Sequence, residues 1–194
     1  MNLRNPLLLA ALVAALVACG TDAPSPAASS TPAAAAMPDP VPDTLAGPPP
    51  APKLVAAAPL STEGATGLND DCNIEGVDGK LFTSDTLTIA KGGTHEFGGW
   101  IVDKAGKTIP TGLKLVVVGV GETSGLFTSD VVTWIDRAGV AETRGYGAEL
   151  AKSGFAFQVD TADVPAGRYH TFVFGNGATG QVVCDPGRQI VIEG

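Results

Sequence analysis

The chain has 194 residues, with 20 Asp and Glu against 12 Lys and Arg, a net charge of −8, and only 2 His and 3 Cys. An acidic chain without a basic patch or stripe is a poor partner for nucleic acid and is not held on anionic lipid by charge. The composition is split: all 11 aromatic residues lie between Phe82 and Phe174, while 11 of the 15 prolines lie between Pro24 and Pro59.

The first six residues carry one positive charge, Arg4, and an unbroken apolar run follows from Leu7 to Val17. Such a run makes roughly 16 Å of helix, too short for a hydrocarbon core of about 30 Å. A charged start and a short apolar core form the pattern of a secretion signal, expected over 1–18. The segment Leu16-Val17-Ala18-Cys19 that ends the run resembles the bacterial lipobox. The resemblance implies a bacterial lipoprotein: the chain is cut before Cys19, the thiol carries a diacylglycerol and the new amine is acylated, for instance with palmitate. Two or more acyl chains anchor stably where one does not, so the membrane is an expected partner through Cys19. Gly20, rather than Asp, after the cysteine resembles an outer-membrane address, facing the periplasm or the cell surface.

From Cys19 to Leu68 the chain is rich in Ala, Pro, Ser and Thr, with few charges and no aromatic residue. Such a segment buries too little apolar area to offset chain entropy and is expected to be a disordered tether. The remaining 126 residues, 69–194, suffice for one domain with one core.

Within 69–194 the pattern is strand-like almost throughout. The expected strands are TLTIA from Thr86, EFGGWIVD from Glu96, LKLVVVGV from Leu113, VVTWI from Val131, FAFQV from Phe155, YHTFVF from Tyr169, QVVC from Gln181 and QIVIE from Gln189. The run from Leu113 is nearly continuously apolar and reads as a strand buried on both faces. Glycine- and proline-bearing turns separate the runs, and GNGATG after Phe174 suggests a hairpin. Arg137 to Ala151 is the one stretch with room for a short helical turn; its three glycines argue against a long helix. Seven to eight short strands without a sustained helix predict an all-β sandwich.

Cys72 and Cys184 lie near the two ends of this domain. With Cys19 lipidated and the chain exported to an oxidising compartment, they are the expected disulfide. The segments CNIEGVDGK from Cys72, EFGGWIVD around Trp100, KSGFAFQVD from Lys152, PAGRYHTF from Pro165 and VCDPGRQIVI from Val183 resemble, in that order, a bacterial immunoglobulin-like sandwich. In such domains a Gly-Trp-x-x-Asp strand, a later Gly-Phe strand and a Pro-x-Gly-x-Tyr corner recur. The resemblance implies an immunoglobulin-like fold and no particular activity.

Catalysis needs positioned acids, bases, nucleophiles or a metal. His95 follows Gly92-Gly93 at a strand start and is expected at the surface; His170 sits in an alternating strand. No HExxH, CxxC or nucleophile-elbow spacing occurs, and Gly119-Val120-Gly121 lacks the third glycine of a dinucleotide loop. No cofactor and no metal are expected, although Asn69-Asp70-Asp71 with Asp78-Gly79 is a candidate calcium edge without EF-hand spacing. Trp100 is expected in the core. Trp134 and Tyr146 are the candidates for an aromatic platform stacking on a sugar ring. The leading expectation is a membrane-tethered, non-catalytic binding or structural module of the cell envelope, contacting a protein by its sandwich face, loops or edge strand. The alternatives are a carbohydrate-binding module, which needs Trp134 and Tyr146 exposed on one face, and a small hydrolase, which needs a histidine near a carboxylate and a serine.

Overall fold

A computed structural model describes residues 50–194. The signal at 1–18, Cys19 and the tether as far as residue 49 lie outside the described residues.

Thirteen strands and one α-helix follow in chain order. They are β1 (Val55–Ala56), β2 (Thr66–Gly67), β3 (Cys72–Val77), β4 (Lys80–Leu81), β5 (Thr86–Ala90), β6 (Thr94–Ile101), β7 (Thr111–Gly119), β8 (Leu126–Ser129) and β9 (Thr133–Ile135), then α1 (Ala138–Arg144), β10 (Gly154–Asp160), β11 (Gly167–Asn176), β12 (Gln181–Cys184) and β13 (Gln189–Glu193). All eight expected strands are present, and the Arg137–Ala151 stretch holds α1 and a 3-10 turn at Ala148–Leu150. The α-helix stops where Gly145 adopts φ +67° and returns its N–H to the last turn.

The strands form an all-β sandwich of two sheets. The five-stranded sheet runs β4-β3-β6-β10-β9. The eight-stranded sheet runs β1-β8-β7-β11-β12-β2, with β13 beside the first half of β11 and β5 parallel to β13. Strand β11 is ten residues long, so one edge pairs with β7 while the other serves β13 first and β12 second. Alternation sends one set of side chains from each strand between the sheets. Ile74, Phe97, Ile101, Phe155, Phe157 and Val159 come from one side; Leu113, Leu115, Val117, Tyr169, Val173 and Ile190 come from the other.

Two local devices hold this arrangement. Cys72 on β3 and Cys184 on β12 form the expected disulfide, Cα atoms 5.8 Å apart, and so tie the two sheets together. The Tyr169 hydroxyl donates to the Pro165 carbonyl at 2.8 Å, closing the Pro165-Ala166-Gly167-Arg168-Tyr169 corner. This is the geometry of the tyrosine corner of immunoglobulin-type sandwiches.

The fold begins earlier than the expected boundary at residue 69. Leu54 N–H donates to the Asp160 carbonyl and Asp160 N–H to the Pro52 carbonyl. Leu54 is 2 % exposed and belongs to the core. Strand β1 then pairs with β8 and β2 pairs with β12. Composition misplaced the boundary because edge pairing requires only backbone groups, tolerates nearby proline and needs few large side chains. Two leucines in the core, Leu54 and Leu68, and two short pairings fix this segment.

Trp100 is buried as expected, but on the other face of its sheet. It is 3 % exposed but lies outside the cluster between the sheets. Phe97 and Ile101, on the other face of β6, point inward. Trp100 points outward and is covered by the segment after α1, with the Tyr146 ring at 6.3 Å and the Arg144 guanidinium at 5.1 Å from its ring.

Candidate functional site

The five-stranded sheet has two free edges, the two-residue β4, where Leu81 is exposed, and the longer β9. Strand β9 pairs with β10 through Thr133↔Ala156, Trp134↔Phe155 and Ile135↔Gly154, and no strand joins its other side. A run rich in β-branched and aromatic residues forms strand readily, and Asp136 ends it by accepting the Ala138 N–H at 2.9 Å. Val131, Trp134 and Ile135 are exposed at 53 %, 40 % and 41 %. Three large apolar side chains within five residues on an unpaired edge are unusual, because such edges invite pairing with another chain. The exposed Asp130 and Asp136 flank the apolar group.

Trp134 and Tyr146 do not form one platform. Trp134 lies directly across from Phe155, so it shares the inner face of the sheet at its rim. Tyr146 packs on Trp100 against the outer face, and its hydroxyl donates to Asp71 Oδ1 at 2.7 Å. Burial, and then the Asp71 carboxylate beside it, push the Tyr146 phenol well above its usual range. Lys104 Nζ stands 5.8 Å from the Tyr146 ring.

The histidines serve the fold. His95 is buried at 7 % exposure, against the expectation of a surface position. Its Nδ1 meets Asp78 Oδ2 at 2.7 Å and its Nε2 meets the Ala90 carbonyl at 3.0 Å. Both nitrogens are engaged, which leaves neither to serve as a base. His170 is half-buried, stacks on Phe172 at 4.3 Å and meets Asp185 Oδ1 at 2.9 Å. Neither ring has a hydroxyl partner among the described residues.

The acidic residues considered for calcium are separated in the same way. Asp78 and Gly79, at φ +53° and +72°, form the two-residue turn of the β3–β4 hairpin. The Asp78 carboxylate accepts from His95 and from the Glu96 N–H at 2.8 Å. Burial raises the Asp78 pKa, but these two bonds, with the nearby His95 and Lys80 charges, outweigh that and hold it below the usual carboxylate range. Asp71 is engaged with Tyr146 instead. Among the described residues no group of three His, Cys, Asp or Glu is placed to hold a metal ion.

A second feature lies on the outer face of the eight-stranded sheet, where sequence reasoning placed no site. Residues 57–65 cross that face as a strap, leaving from β1 at one edge and entering β2 at the other. Residues 62–65 of the strap form a turn, closed by the Ala65 N–H on the Thr62 carbonyl at 3.0 Å. Ala57 N–H to Leu126 and Leu68 N–H to Val183 pin the two ends. Val116 and Phe174 beneath are 1 % and 6 % exposed although they do not face the core. Leu60 of the strap lines a half-open cavity of about 320 Å³ over these strands. The signal available in the sequence was the unbroken apolar run Leu115-Val116-Val117-Val118, which demands cover on both faces.

No family model, no curated protein and no solved structure matches the chain. Among the described residues no helix is long and apolar enough to cross a membrane.

Proposed function

We propose that the chain is a lipid-anchored, non-catalytic binding module of the bacterial cell envelope, held by Cys19 and recognising an envelope protein through β9. The lipobox-like Leu16-Val17-Ala18-Cys19 supports the anchor and, with Gly20, an outer-membrane location. The described residues begin about 30 positions beyond Cys19. The observation that carries the binding reading is the unpaired β9 edge with Val131, Trp134 and Ile135 exposed. An extended segment of the partner adds a strand there: backbone bonds give affinity and the apolar side chains give specificity. The flanking Asp130 and Asp136 favour a partner segment with basic ends. The carbohydrate alternative loses its support, because Trp134 and Tyr146 lie on opposite faces of one sheet.

Two measurements test this reading. Metabolic labelling with an alkyne fatty acid is expected to mark the chain and to vanish in Cys19→Ala; unchanged labelling refutes the anchor. A photoreactive group at Ile135 is expected to give a discrete protein adduct in intact cells, with none when it is placed at the exposed Lys91. Equal adducts at both positions, or none at either, would refute the β9 interface.

A further inference from the structure

The cavity beneath the strap has a chemistry of its own. Seven of its nine lining residues are Leu, Val or Phe, with Thr62 and Asp185 the exceptions. Its floor is the outward-facing set of the eight-stranded sheet: Val116, Val118 and Leu126 on one side, Phe172, Phe174 and Val183 on the other. Its lid is Leu60.

Three properties restrict what fits there. A wall of carbon satisfies no hydrogen bond, so peptide backbone inside it would leave its N–H and C=O groups unpaired at a cost of about 1–3 kcal/mol each. The occupant is therefore hydrocarbon along its buried length. About 320 Å³ holds roughly ten methylenes if each takes about the 30 Å³ of a water. That is more than one aliphatic side chain fills and close to the buried part of a single acyl chain. Asp185 is the one charged residue in the lining and is 46 % exposed at the side chain. It is fixed there by His170 Nε2 at 2.9 Å and the Gly187 N–H at 3.0 Å. A carboxylate head would meet a like charge, whereas an ester or alcohol would not.

We infer that this cavity is a binding site for one acyl chain of an uncharged amphiphile, with Leu60 as its lid and Asp185 selecting against fatty-acid anions. The strap suits entry: it is held at its ends, and Pro59 and Leu60 lie in the unpaired middle. The site is separate from the β9 edge and does not depend on the modification of Cys19.

The test uses residues 20–194, which keep every described contact and carry no acyl group. N-phenyl-1-naphthylamine, a neutral apolar fluorophore, is bound first and then displaced by 1-lauroylglycerol or by laurate, each below its aggregation threshold. The lauroyl ester is expected to displace the dye at micromolar concentration, with laurate at least tenfold weaker. Asp185→Asn should close most of that gap. Val118→Phe fills the floor and should weaken the ester at least tenfold, with the thermal unfolding midpoint checked alongside. Leu60→Asp, on the strap and away from the core, should do the same without relying on the sheet. No displacement by the ester, or ester binding unchanged in both Val118→Phe and Leu60→Asp, overturns the site. Equal binding of laurate and ester overturns the role given to Asp185.

Discussion

The two outer faces of the sandwich solve one problem differently. On the five-stranded sheet the outward row is largely small or polar, with Gly98, Ala156, Glu96 and Gln158; of its large apolar groups, Ile135 stays exposed at the edge and Trp100 is roofed by the chain that follows α1. On the eight-stranded sheet the outward row is Val116, Val118, Phe172 and Phe174, and a separate strap from the N-terminal side is laid across it. The first roof inserts an aromatic, Tyr146, against Trp100. The second is made of small or polar residues and one leucine, too small to fill the face it covers. A well-filled roof stabilises; a poorly filled one leaves space for a ligand.

The largest expected effect comes from releasing the link between the two sheets. Changing Cys72 and Cys184 together to Ala should lower unfolding free energy by as much as about 5 kcal/mol, because the disulfide closes a loop of 112 residues in the unfolded chain. Denaturant titration measures it; a loss below about 1 kcal/mol would mean that the link constrains little.

Trp100→Ala removes the filled roof and should cost about 3 kcal/mol or more, as large-to-small changes at buried aromatics do. Leu60→Ala in the thin roof should cost under about 1 kcal/mol, because Leu60 is half-buried against a cavity, while binding of a neutral apolar dye changes. If the two substitutions cost the same, the contrast between the roofs fails.

Adjacent glycines on β6 sharpen the same comparison. A Cβ on Gly99 would stand 2.2 Å from the Asn73 carbonyl and 2.6 Å from the Phe155 ring, so Gly99→Ala should cost about 2 kcal/mol. A Cβ on Gly98 meets nothing within 4 Å, so Gly98→Ala should stay within about 0.5 kcal/mol. Thermal melting of the pair decides whether the outer face is open at that point.

The smallest effect is one of pH. The Asp78 carboxyl is held below its unfolded value, so the folded state binds its proton less readily than the unfolded state does. Its contribution is complete above the unfolded value of about pH 4 and is lost as pH falls through the lower folded value. Asp78→Asn should therefore flatten the acid limb of stability against pH. A limb of unchanged slope would show that the bonds to His95 and Glu96 do not couple to folding.

Much of the fold was readable from local pattern. All eight strands expected from alternation or apolar runs formed, because a period of two is set by backbone geometry within each strand. Strand β3 escaped because Glu75 and Gly76 interrupt its alternation at a bulge, β8 is four residues directly after a glycine turn, and β1, β2 and β4 are only two residues long. The site was less readable. Trp134 was singled out, but its position on the unpaired edge followed from the order of the sheet, and Tyr146 was assigned a face it does not occupy. His95 was expected at the surface because a strand start often is; the Asp78 turn and the Ala90 carbonyl enclose it.

The sequence by itself determined the acidic composition, the strand periodicity and the two cysteines, Cys72 and Cys184, that the domain holds. These are properties of short stretches or of simple counting. Only the tertiary structure decided that the Pro/Ala-rich segment from residue 52 onward joins the fold, that β9 is left as an edge, and that a strap over Val116 and Phe174 borders a half-open cavity. Each depends on which distant segments lie side by side, and a strand's own pattern shows that a face must be covered without showing what covers it.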